Sequence, residues 1–130
     1  MQDPTDFMAT IRTIAGSRGV YRPEAYVFVL EALENVMVEL GERRHVSGAD
    51  LLDGIKQLGR QRYGLMATDV FAVWGVNATL DFGRIVFHLV EEGLLSKRDE
   101  DSLGDFIDRY DFHQVFELDY FQGKASPDRR

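Results

Sequence analysis

Residues 23–41 read PEAYVFVLEALENVMVELG, and the parsing of this stretch decides the fold. Its middle, Tyr26-Val27-Phe28-Val29-Leu30, is an aromatic and β-branched run that taken alone passes for a strand. Length arbitrates. Apolar residues continue at Leu33, Val36, Met37 and Leu40, a helical spacing kept up over about five turns. Pro23 suits the first helical position, and Gly41 can adopt the left-handed conformation that closes a helix. Ala25, Phe28 and Ala32 form a second apolar side, so this helix is expected to be central and covered on more than one face.

The helical reading extends in both directions. Upstream, Asp3 as N-cap and Pro4 after it start a helix with Phe7, Ile11 and Ile14 on one face, and Gly16 is a candidate terminator. Downstream, Ser47 followed by Asp50 opens a third helix in the manner of a capping box. Leu51, Leu52, Ile55 and Leu58 form its stripe, with Lys56, Arg60 and Arg62 near the polar side and Gly64 at the end. A fourth helix is expected from Leu65 to Trp74, with Met66, Val70, Phe71 and Trp74 inward. A fifth is capped by Thr79, carries Asp81 at the positive end of its dipole, and buries Phe82, Ile85, Val86, Leu89 and Val90 up to Gly93. Leu103, Phe106, Ile107 and Tyr110 mark a sixth helix, and Asp111 with Gln114 can cap a seventh that carries Phe112, Val115 and Phe116. The expected fold is all-α, a single compact bundle of six or seven helices over residues 1–123, followed by a polar tail at 124–130.

With no cysteine in 130 residues, disulfide scaffolds, thiolate zinc sites and cysteine nucleophiles are excluded. The formal charge is −7, which argues against nucleic acid as a partner, and it is unevenly distributed. Residues 1–64 carry 8 basic and 9 acidic side chains, whereas residues 65–130 carry 7 and 13. Between Glu91 and Asp119 ten acids face three bases. Within that strip Asp99, Glu100, Asp101, Asp105 and Asp108 are candidate contacts for a basic protein partner, although a run of charge is more often a solvated face. The opening residues MQDPTDF show no secretory pattern, and the longest apolar stretch, residues 25–30, is far below the ~20 residues of a membrane span. A cytoplasmic protein with no membrane partner is the expectation.

No motif for catalysis is complete. Asp99, Asp101 and Gly104 match three positions of a calcium loop, but Leu103 and Tyr110 stand where a ligand and the clamping glutamate belong. Asp81-Phe82-Gly83 spells the magnesium-binding tripeptide of protein kinases without the glycine-rich loop or catalytic-loop signature that give it meaning. A helix start, with Gly83 admitting a close neighbour, explains it better. His88 and Glu92 lie one turn apart and would form a metal or small-ligand site if the fold brought His113 to them. No catalytic residue, cofactor or metal is assigned.

The fourth helix, the turn Gly75-Val76-Asn77-Ala78, the fifth helix and Glu91-Glu92-Gly93-Leu94-Leu95 resemble the core of a winged helix. Such a domain would contact DNA through Arg84 and through Lys56, Arg60 and Arg62 of the third helix. A wider resemblance rests on His45-Val46-Ser47-Gly48-Ala49-Asp50-Leu51-Leu52, Tyr63-Gly64-Leu65-Met66-Ala67, Trp74-Gly75-Val76, the stretch 79–87, Asp105-Phe106 and Tyr110-Asp111-Phe112. Over residues 20–117 the chain resembles an uncharacterised bacterial family found mainly in planctomycetes and verrucomicrobia. That resemblance implies a bacterial cytosolic domain and carries no activity, cofactor or site residue. The leading expectation is a non-enzymatic domain that binds another protein. The alternatives are a winged-helix-like DNA-binding regulator and a small-ligand or metal-binding protein.

Overall fold

The structure, a computed structural model, describes residues 4–41, 46–98 and 101–121. The expected cap Asp3, His45, the acids Asp99 and Glu100 and the tail at 124–130 lie outside these residues. In chain order the elements are α1 (Pro4–Arg18), α2 (Pro23–Leu40), α3 (Gly48–Tyr63), a 3-10 turn (Gly64–Met66), α4 (Ala67–Val73), α5 (Thr79–Glu91), a 3-10 turn (Leu103–Phe106), a π-wound turn (Gln114–Leu118) and α6 (Asp119–Phe121). The described residues are helical without a strand.

The helix α2 has the bounds expected of it. Gly41 closes it at φ 80°, its N–H donating to the carbonyls of Met37 and Val38. It packs against α1, α3 and α5, and it buries Ala25, Tyr26, Phe28, Val29, Ala32 and Val36. Phe71 of α4 lies at the middle of the aromatic core, with Phe28, Trp74, Phe82, Phe112 and Phe116 at centroid distances of 5.3–5.6 Å. These rings come from four separate stretches of chain.

Among the described residues five α-helices of seven residues or more are present, fewer than the six or seven expected. The shortfall falls on residues 103–110. Asp105 Oδ2 accepts from Ser102 N at 3.1 Å and starts a turn, but Ile107 is extended and Asp108 has φ 49°. The cause is tertiary: the Phe106 carbonyl, which a continuing helix would offer to Tyr110, accepts the Thr79 hydroxyl at 2.6 Å. Leu103 and Ile107 are left exposed. The expected seventh helix survives as the helical stretch 112–121, begun by Asp111 Oδ2 accepting from Gln114 N at 2.9 Å.

Local boundaries differ in three places. α1 passes Gly16 and ends at Arg18, before Gly19 at φ 72°. Met66 is exposed because residues 64–66 form a 3-10 turn, which rotates it away from the expected inward face. Thr79 is inside α5 and buried, so the capping role falls to Asp81, whose Oδ2 accepts from Asn77 N at 2.8 Å and Ala78 N at 3.1 Å. No helix among the described residues is long and apolar enough to cross a membrane.

Candidate functional site

A cleft of about 400 Å³ lies between α2, the start of α3, α5 and the segment that follows α5. Helical spacing places Leu33 and Met37 one turn apart on α2, and α5 contributes the adjacent Val86 and Phe87. Leu51 and Phe106 complete an apolar floor. Leu33, Val86 and Phe87 are half-buried and rest against the core, so they present apolar surface that the fold itself does not cover.

The rim is polar, and its own hydrogen bonds shape it. Asp101 Oδ2 accepts from Arg98 N at 2.8 Å, and Lys97 Nζ donates to the carbonyls of Arg98 and Asp101 at 3.1 and 3.4 Å. Asp105 closes the next turn through Ser102 N, and on the opposite rim Ser47 Oγ accepts from Asp50 N at 3.1 Å as the cap of α3. Of the five acids expected to meet a partner, Asp101 and Asp105 therefore line the cleft, and Asp108 is exposed at the end of the same loop. Asp99 and Glu100 fall outside the described residues.

The basic residues expected to meet DNA are engaged within the molecule. Lys56 pairs with Asp53 at 3.6 Å and lies 5.4 Å from the centroid of the Tyr110 ring. Arg60 Nε donates to the Val115 carbonyl at 3.1 Å, while its Nη2 lies 3.5 Å from Asp119. Arg62 holds Glu31 with both arms of its guanidinium, Nη1 to Oε1 at 2.8 Å and Nη2 to Oε2. Arg84 on α5 sits 3.6 Å from Asp81. The helix they were to accompany is largely interior, since Thr79, Phe82, Gly83, Ile85 and Leu89 of α5 are buried and no strand follows among the described residues.

A second polar group joins α1, α2 and α5. Arg18 meets Glu91 at 2.8 Å and Glu92 at 3.1 Å, and Tyr21 donates to Asp81 Oδ1 at 2.6 Å. The Tyr26 hydroxyl and His88 Nδ1 are 2.7 Å apart, with their rings stacked at 6.0 Å. Burial pushes the Tyr26 phenol up to about 12 and holds His88 below its ordinary value, an effect that the Arg18 charge reinforces. His113 pairs instead with Glu117 at 3.1 Å on the carboxy-terminal stretch. The suggested trio of His88, Glu92 and His113 is therefore not assembled, and no three such side chains gather into a metal site among the described residues.

The cleft was beyond sequence reasoning. Leu33, Met37 and Val86 read as ordinary members of apolar stripes, and only the packing of α2 on α5 leaves them uncovered together with Phe87. Comparison of the chain with protein-family models, curated proteins and solved structures gives no match.

Proposed function

We propose that the chain is a non-enzymatic helical interaction module that grips another protein in the cleft between α2, α3 and the segment after α5. The observation that carries this reading is the uncovered apolar floor of Leu33, Met37, Val86 and Phe87 inside a polar rim. Leu103 and Ile107, on either side of Phe106 in sequence, are exposed apolar residues of the same segment. In this reading the helices form one bundle that serves as a rigid frame. Apolar side chains of the partner fill the cleft while its basic side chains meet the acids of the 101–108 loop.

The test is affinity capture from cells that make the protein, comparing the natural chain with Leu33→Glu and Asp108→Asn after melting curves show that each variant folds. A partner held by the natural chain, lost with Leu33→Glu and weakened severalfold at low salt with Asp108→Asn, supports the reading. Equal capture by all three chains overturns it. So does a defined small molecule found by mass spectrometry in the purified protein with no partner captured.

A further inference from the structure

We propose that a second groove, on the far side of α2, binds small aromatic carboxylates, with Arg12 as the anchor for the acid group. This groove of about 330 Å³ lies between α1, the first half of α2, the end of α3 and Trp74. Its size matches the lower range of small-molecule sites. Three of its lining residues are aromatic. Phe28 is 6.1 Å from Tyr63 and 5.4 Å from Trp74, and Tyr63 is 5.9 Å from Trp74, all between ring centroids. Met8 and Val27 add apolar surface. Phe28 and Trp74 are buried and back the groove, so an aromatic ring entering here would rest on half-buried Tyr63, Met8 and Val27.

The charges at the groove select the sign of the ligand. Four charged side chains line it: Arg12, Glu24, Glu31 and Arg62. Glu31 and Arg62 neutralise one another through their two-armed contact, and Glu24 lies 3.7 Å from Arg22. Arg12, exposed on α1, has no ion-pair partner among the described residues. The uncompensated charge at the groove is therefore a guanidinium, whose planar fork matches a carboxylate with two parallel hydrogen bonds. An organic cation would meet Arg12 and Arg62 together, with both acids already engaged. This site is independent of the cleft on the α5 side, and it stands or falls separately from the protein-binding reading.

Trp74 is the single tryptophan of the chain, so its emission reports on this groove without labelling. Benzoate and phenylacetate are titrated to about 10 mM at low ionic strength, beside benzamide and benzyltrimethylammonium, with ligand-observed saturation-transfer NMR as a second readout. The expected result is a saturable emission change and NMR transfer with the two carboxylates, weakened about tenfold or more for benzamide and absent for the ammonium. Arg12→Gln should weaken carboxylate binding about tenfold, and Arg12→Lys by less, with melting curves unchanged because Arg12 is exposed. Silence in both readouts overturns the proposal. Equal binding of benzamide, preferential binding of the ammonium, or undiminished binding by Arg12→Gln also overturns it.

Discussion

Thr79 decides more of the local chain path than its size suggests. Buried at the first position of α5, it donates to the Phe106 carbonyl at 2.6 Å and accepts from Arg109 N at 3.1 Å, tying two points of the 103–109 segment to one side chain. Thr79→Val keeps the shape and removes both bonds, leaving a carbonyl and an amide without a partner. The expected loss is about 1–3 kcal/mol in chemical denaturation, with faster amide exchange at Arg109, and Thr79→Ser should restore most of it. Gly83 faces the same segment. A Cβ there would lie 2.6 Å from Phe106 Cγ and 2.7 Å from Cδ2, well inside van der Waals contact. Gly83→Ala should cost about 1–3 kcal/mol by overpacking, and pairing it with Phe106→Leu should recover part of the loss, which a double-mutant cycle measures. The sequence already suggested a close approach at Gly83, while its partner proved to be a ring from a 3-10 turn.

Among the elements, the π-wound turn at Gln114–Leu118 is where side chains compensate for irregular backbone. Arg60 reaches across from α3 to the Val115 carbonyl and to Asp119, and Gln114 Nε2 donates to Asp119 Oδ1 at 2.8 Å. Removing the guanidinium takes a donor from the carbonyl beside the buried Val115 and Phe116. Arg60→Ala should destabilise by about 1–2 kcal/mol, and Arg60→Lys should rescue only in part because a single ammonium cannot serve both acceptors in the same geometry; urea titrations distinguish the two. The same contact turns a residue expected to meet DNA toward acceptors of its own chain. Capping also occupies acids: Asp81, Asp101, Asp105 and Asp111 each accept a backbone N–H three or four residues away, so three acids of the strip, Asp101, Asp105 and Asp111, shape turns. A strip of charge in sequence did not distinguish acids that cap from acids that meet a partner, because both leave the same composition.

For the molecule as a whole, the pH dependence of stability should separate two groups. His88 has a folded value below its ordinary 6.5, mainly through burial, so the unfolded chain takes up its proton first and stability falls as pH drops from about 6.5 through the folded value. Glu31, held below its ordinary 4.5 by the hydrogen bond from Arg62, adds stability that is lost only as pH falls below about 4.5. Melting temperature should therefore decline in two windows, and His88→Gln should flatten the upper one alone; a series of melts from about pH 7 to pH 3 checks this. The sequence by itself determined the helical class, the bounds of α2 and α3, the buried stripe of α3, the buried second side of α2 at Ala25, Phe28 and Ala32 and the absence of cysteine chemistry. These follow from period, caps and composition, which act over a few residues. Tertiary structure alone decided that 103–110 bends away from a helix, that His88 turns to Tyr26 while His113 turns to Glu117, and that Lys56, Arg60 and Arg62 are consumed within the fold. It alone also opened the cleft and the groove on opposite sides of α2. Such features depend on which groups meet across long stretches of chain, where a single hydrogen bond or an uncovered face outweighs local preference.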